Sequence, residues 1–560
     1  MAGVLLESLT RKQLIIFTGV ALASVVIFFV LGGTKVSTPA TALLHIATPC
    51  NSKGKPWGEA WYRRTYTDGS KEVKDANAPC EEVTIGKINS KIGISDVVFS
   101  VHMPHPGLEF SPYQQFVVVS MNTEIDMEFD AKVGPEVFNR TKECTIYYKA
   151  KVGYKDKLSD KWTLYKQTDN EKRPLKCLLT QYRTEGDKME GYYTCEDMHF
   201  LEIGSIQHPY YLINMQLKPT TRCFGVLKGL HFVEIHQNGS YTRAWFIAKT
   251  VLTPFLIAAL IFFFRRIKAQ PRAPILLEKL TAGLGLSLLF LVLPIEWLTI
   301  AFDMPYMLLL SDLRQGQFYA FLLSFWCIFV GEHILDQQKR GTWRNYKWQL
   351  VFVILACLAL LIFDLIERGV QLHNPFHTIW KKDNGETAAK GFIIVAAISS
   401  ILFVLFFFGL VIKVFRHMSV KGNALPVMQE ARRIYYQGVI YRFRALVTIT
   451  LMCVIMTVLC FVLDQVNEGH WKFIEDNPVN DVVQVSSALH FGTFGMWNVY
   501  VISVLILYSP NEATDSSTVR YRAANAEQRE HLTIDDPSED SLNDASVSTV
   551  YQLSGQHIKE

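Results

Sequence analysis

Apolar and polar stretches are unevenly spread along the chain. One apolar run stands alone near the N-terminus, at residues 14–31, and seven more crowd into residues 245–508. A run of about 20 apolar residues is the length of a helix across a bilayer. The pattern therefore predicts eight spans, at residues 14–33, 245–264, 275–301, 316–335, 349–369, 389–412, 443–465 and 484–508. The first run follows Arg11 and Lys12. It reads as an uncleaved anchor. The alternative is a signal peptide cut in the small-residue stretch 38–42, which leaves seven spans. Between the first run and the rest lies a polar block, residues 34–244. Its short runs at 96–102, 116–126, 145–154, 192–196, 210–217 and 229–236 are separated by Pro, Gly and Asn-Gly turns and read as strands. Many short strands at this spacing predict an all-β sandwich. The expected class is an α-helical polytopic membrane protein with that sandwich inserted after the first span. The order is a tail (1–13), a span (14–33), the β-rich domain (34–244), a seven-span bundle (245–508) and a tail (509–560). The C-terminal tail is polar, rich in Ser and Asp, and reads as disordered.

Charge placement orients this plan. With the N-terminus in the cytosol, loops 265–274, 336–348 and 413–442 and the C-terminal tail fall inside the cell. The three loops carry Arg265, Arg266, Lys268 and Arg272; Lys339, Arg340, Arg344 and Lys347; and Lys413, Arg416, Lys421, Arg432, Arg433 and Arg442. The outside loops at 302–313 and 466–483 are mostly acidic, and only Lys381 and Lys382 are discordant. This is the positive-inside pattern. The polar block then faces the lumen. It holds six of the ten cysteines and the two glycosylation sequons, at Asn139 and Asn238. Both features belong to the oxidising side. Six cysteines allow fifteen pairings. Local spacing favours Cys50–Cys80 and Cys177–Cys195, leaving Cys144 with Cys223. The net charge of +4 is too small to point to nucleic acid.

Ionisable residues inside spans are costly and need partners or a purpose. Glu296, Asp364, Glu367, Arg368 and Asp464 fall at the lumenal ends, with His490 nearby. Glu278, Lys279, Glu332 and His333 fall at the cytosolic ends. Asp364, Glu367, Arg368 and Gln371 recur at helical spacing and share one face. The lumenal group reads either as an interhelical polar network or as the polar mouth of a cavity with an apolar interior. Beneath it, Phe325, Trp326, Phe329, Phe363, Phe403 and Phe406 are candidates to line that interior, core packing being the other reading. His490, placed among apolar residues near Asp464 or Glu296, is a candidate pH-sensitive group or a neutral hydrogen-bonded one. No nucleophile elbow, metalloprotease helix or phosphate loop is present in the sequence. No enzyme, cofactor or metal is expected.

Several long motifs resemble the Wntless family, carriers of Wnt proteins. They are LLSFWCIFVGEHILDQ (322–337), FDLIERGVQLHNPFHTIW (363–380), PILLEKL (274–280), RQGQFYA (314–320), EGHWK (468–472) and FGMWNVYV (494–501). FSPYQQF (110–116), LEIGS (201–205) and IHQNG (235–239) match in the polar block. The resemblance runs to about residue 510; Cys144, Cys223 and the tail depart from it. It implies a last seven spans like those of G-protein-coupled receptors. It also implies binding of acylated Wnt in the endoplasmic reticulum or Golgi, delivery to the plasma membrane, and return through endosomes by clathrin adaptors and retromer-type machinery. The physics fits. An acyl chain of about sixteen carbons, at about 0.8 kcal/mol per buried CH₂, holds a secreted protein on a membrane. Moving that chain from bilayer to a helix-lined groove is nearly neutral, because lipid tails are as apolar as Leu. Selectivity must then come from polar groups. Tyr436-Gln437-Gly438-Val439 fits the Tyr-X-X-Φ sorting signal that the family carries in the same loop, an interfacial anchor of the seventh span being the other reading of Tyr436. A seven-span signalling receptor is the alternative function.

Overall fold

The computed structural model describes residues 5–510 apart from 53, 59, 69–70, 74, 76, 85–93, 128–141, 186–187, 219–224, 333–345, 380–382, 424–429 and 472–479. A short helix α1 (Leu5–Ser8) leads into α2 (Arg11–Thr34). Thr10 caps α2 by accepting from Gln13 N–H, and the Gln13 side chain accepts the Thr10 N–H in return. α2 lies flat against the last helix, α9 (Asn480–Leu507). A Cβ on Gly492 or Gly495 would run into the rings of Phe29 and Phe28, and one on Gly32 would sit 2.8 Å from Phe491 Cβ. Small residues let the two backbones approach. The first helix is thus an integral part of the bundle.

Ten strands of the polar block form one continuous hydrogen-bonded sheet that folds into two layers. The strands are β1 (Ala40–Ile46), β2 (Thr48–Asn51), β5 (Val97–Met103), β6 (Val117–Met127), β7 (Lys142–Lys155), β8 (Thr163–Glu185), β9 (Lys188–Cys195), β10 (Met198–Ile203), β11 (Tyr210–Leu217) and β12 (Gly225–Gln237). Strands β3 (Tyr66–Asp68) and β4 (Lys71–Val73) make a separate hairpin. β1, β12, β6 and β10 face β2, β5, β11 and β7. Phe200 of β10 packs on Tyr148 of β7 at 5.6 Å and on Phe232 of β12 at 5.0 Å, so both layers share one core. The 23-residue β8 joins them, pairing with β7 in its first part and β9 in its second. The six expected strands are present. Strands β8 and β10 add to the six named runs, and β1 to β4 lie before them. β8 carries Lys166, Asp169, Glu171, Lys172, Arg173, Pro174 and Lys176, which hide its alternation. Cys50–Cys80 and Cys177–Cys195 are bonded as spacing favoured. Cys223 and the Cys144 side chain lie outside the described residues.

The bundle contains α3 (Gly239–Lys268), α4 (Leu276–Val292) with a 3-10 extension (Ile295–Ile300), α5 (Met307–Glu332), α6 (Lys347–Gln371), α7 (Asp383–Asn423), α8 (Glu430–Trp471) and α9. Among the described residues, seven helices, α2 included, are long and apolar enough to cross a membrane. α5 is the eighth helix of the bundle: 26 residues, with Arg314, Gln315 and Gln317 diluting its first turns. α7 and α8, at 41 and 42 residues, outrun the expected spans. The positions of Tyr436 and Val439, expected in an extended loop, are helical in α8; their side chains lie outside the described ones.

Candidate functional site at the domain junction

The β-domain sits on one end of the bundle, and the connection between α6 and α7 is driven into it. Phe376, in that connection, is fully buried in the sandwich core beside Phe200, at 5.8 Å. Its carbonyl accepts from Arg173 Nη2 at 2.7 Å, and the Pro375 carbonyl accepts the Glu202 N–H at 2.9 Å. Arg173 is itself buried, held by Glu171 at 2.8 Å and by the His199 carbonyl at 3.2 Å. An aromatic ring and two hydrogen bonds thus fix the loop to the sheet.

Of the six residues expected at a polar mouth, Asp364, Glu367 and Arg368 lie at the junction end of α6. Glu367 accepts the Ile379 N–H at 2.6 Å and Gln371 Nε2 at 3.1 Å, so it shapes the α6–α7 connection. Arg368 reaches out of the bundle to Glu202 of β10, with Asp312 of α5 at 3.6 Å. Asp364, a turn earlier, is half-buried. Glu296 does not join them. It is buried with Lys249 of α3 at 2.6 Å and Arg314 of α5 at 2.7 Å, both on Oε1. Pro294 ends α4, and Arg314 takes up the freed carbonyls of Phe290, Leu291 and Leu293 at 2.6, 2.7 and 2.6 Å. A guanidinium at a helix C-terminus meets both the orphan carbonyls and the negative end of the dipole. Sequence reasoning singled out neither Lys249 nor Arg314. The signal was there, since a lysine within a span is costly unless paired.

His490 is exposed on α9, not buried near Glu296 as expected, because the face of α9 turned inward is occupied by Phe491, Phe494 and Trp497. The Asp464 side chain lies outside the described ones. In the β-domain, histidines do meet a carboxylate. His45 Nε2 and His236 Nδ1 take the two oxygens of the fully buried Glu234, at 2.7 and 2.8 Å. Burial works against the Glu234 charge, but the hydrogen bonds from His236 and His45 outweigh it and hold the carboxyl below its ordinary range. The rings of His102 and His199 are half-buried, with ring nitrogens shut from solvent, and are held neutral, pushed down to about 3 and about 4 by desolvation first and nearby cations second.

Of the aromatic candidates, Phe325, Trp326, Phe329 and Phe403 are buried in the bundle core. Phe325 stacks on Phe329 at 5.4 Å, and Phe329 meets Tyr508 at 5.4 Å. Phe363 and Phe406 are half-buried. At the far end, Glu278 is buried and accepts Arg272 Nη2 at 2.6 Å and the Ile275 N–H at 3.0 Å. Lys279 points outward, and Glu332 accepts from Tyr346 at 3.0 Å. His333 lies outside the described residues. So does Asn139. The other sequon residue, Asn238, serves as the N-cap of α3. Its Oδ1 accepts the Ser240 N–H at 3.0 Å and its Nδ2 faces Thr38 at 3.5 Å.

Comparison with known proteins agrees with this two-part plan. The family model "Wntless, GOLD domain" matches residues 49–237 and "Wntless-like, transmembrane domain" matches 238–512, meeting where β12 gives way to α3. The chain is 39% identical to the "Protein wntless homolog" of Mus musculus, over 91% of this chain and 92% of that one. It is 38% identical to that of Gallus gallus over the whole of both chains. It is 34% identical to the "Protein wntless" of Drosophila grimshawi, over 96% and 95%. The β-sandwich, the apolar bundle and these likenesses across both place the chain in the Wntless family.

Proposed function

We propose that this protein is a membrane cargo carrier that binds lipid-modified Wnt proteins in the secretory pathway, delivers them to the cell surface and is then recycled by endocytosis. Family membership carries the coarser statement by itself: this is a factor of Wnt secretion, a multi-pass membrane protein and not an enzyme. The finer reading rests on one observation above all. A folded β-domain is clamped onto the mouth end of an aromatic-rich apolar bundle, so a protein surface and an apolar interior are offered together. An acylated protein needs both.

The β-domain and its disulfides belong on the lumenal or extracellular side in this reading, with both termini cytosolic. Positive-inside charge supports that orientation. Phe325, Trp326, Phe329 and Phe403 are packed against one another and their neighbours, so an acyl chain reaching them must displace side chains. Phe363 and Phe406, half-buried on α6 and α7, stand nearer a route from lipid. Return from the surface would use Tyr436 and Val439 with a clathrin adaptor and retromer-type machinery. An adaptor that reads an extended segment requires this part of α8 to unwind.

Capture of an epitope-tagged Wnt tests the reading. The full chain in detergent should retain acylated Wnt and lose most of it when the acyl-bearing serine of Wnt is replaced. Equal retention of both forms would refute recognition of the lipid.

A further inference from the structure

Beneath the β-domain, between it and the ends of α3, α4 and α5, lies a cavity of about 90 Å³. At about 30 Å³ per water it has room for roughly three waters, far short of an acyl chain. Its wall includes Gln115 and Ser205 from the β-domain and Lys249, Glu296, Thr299 and Ser311 from the bundle. Two of these are incompletely used. Glu296 carries both of its cations on Oε1, and the buried Oε2 accepts no hydrogen bond. Lys249 has three donors, and among the described residues its Nζ has one acceptor, Oε1 of Glu296. The Lys249 ammonium also lies 5.6 Å from the Trp245 ring centroid, a weaker partner than an acceptor, while leaving the buried carboxylate oxygen unused is costly.

The two vacancies are of opposite kind and lie on one ion pair. Arg314 shares Glu296 Oε1 with Lys249 and also donates to three carbonyls, so the two cations and one carboxylate carry a net charge of +1. A cation is repelled by Lys249 and Arg314, and an anion brings no proton to Glu296 Oε2. A neutral group that accepts at one end and donates at the other satisfies both.

We propose that this cavity is a binding site for a single amide group, supplied by the polypeptide of the secreted client where it reaches between β-domain and bundle. The amide oxygen accepts from Lys249 Nζ and its N–H donates to Glu296 Oε2. Ser205 and Ser311 sit beside it as further partners. This inference rests on the carrier reading and adds to it a polar contact separate from the acyl chain. The carrier thereby recognises protein as well as lipid at one end of the bundle.

The test is the affinity of purified full-length chain in lipid nanodiscs for acylated Wnt, compared between wild type, Ser311→Leu and Glu296→Gln. Ser311→Leu fills the cavity and leaves the ion pairs in place, and its folding is checked by thermal unfolding. Glu296→Gln keeps the shape and puts N–H donors on the wall where an amide N–H must give its proton. Loss of a hydrogen bond to a charged group corresponds to about tenfold or more in affinity. The expected result is at least that weakening in the folded Ser311→Leu protein, with Glu296→Gln at least as weak. Wild-type affinity in folded Ser311→Leu overturns the amide site and leaves the carrier reading standing. Absence of binding by wild type overturns both.

Discussion

Two arginines at the domain junction show how much a residue's surroundings decide. Arg314 is 1% exposed, carries four hydrogen bonds and shares Glu296 with Lys249. Removing one partner from a buried network leaves uncompensated charge and typically costs about 3–5 kcal/mol. Arg368 is a third exposed and bonded to Glu202 across the domain boundary. Hydrogen bonds between charged groups at such a site are worth about 1.5–3 kcal/mol. Arg314→Ala is therefore expected to lower the unfolding temperature in detergent clearly more than Arg368→Ala. Equal shifts would contradict the assignment. Helical spacing alone marked Arg368, Glu367 and Asp364 and passed over Arg314 and Lys249. The spacing of charges on one helix is visible in sequence. Which carbonyls a proline sets free, and which arginine on another helix takes them, depends on packing between elements.

Among elements, the α6–α7 connection and α2 carry the most. Phe376 belongs by sequence to a loop of the bundle, yet it fills the sandwich core. Phe376→Ala should cost about 3–5 kcal/mol as a core truncation, and it should also loosen the two domains. Limited proteolysis of the junction should then speed up while the bundle stays intact; unchanged cleavage would show that the ring merely rests there. The span pattern, six strands and the two described disulfides were legible because hydropathy, alternation and short cysteine spacing are local signals. The bounds of β8 were not, since many of its positions are charged and its stability comes from neighbours on both sides. The helical setting of Tyr436 was also missed, because α8 continues beyond the apolar stretch that marks its span. The two neutral histidines make a further prediction at this scale. In the fold His102 and His199 stay neutral, with values near 3 and 4, whereas in the unfolded chain they titrate near 6.5. Stability is then fully present above about pH 6.5 and falls as pH drops toward those values, by about 2 kcal/mol each at about pH 5. The β-domain should melt at a lower temperature at pH 5 than at pH 7.5. His102→Gln or His199→Gln should flatten that dependence, and a pH-independent melting temperature would rule it out.

At the scale of the whole molecule, a soluble fold and a membrane bundle are joined by a ring, the Arg368–Glu202 ion pair and hydrogen bonds across the junction, and α2 packs on α9. A cargo with a protein surface and an acyl chain meets both parts at their junction. The measurement that tests this most directly is Wnt secretion from cells lacking their own Wntless, supplied with this chain. Acylated Wnt should reach the medium in amounts well above the empty control, and Wnt without its acyl serine should gain nothing from the chain. Secretion that stays at the control level with the chain correctly at the cell surface, or an equal gain for both forms of Wnt, would contradict the carrier account.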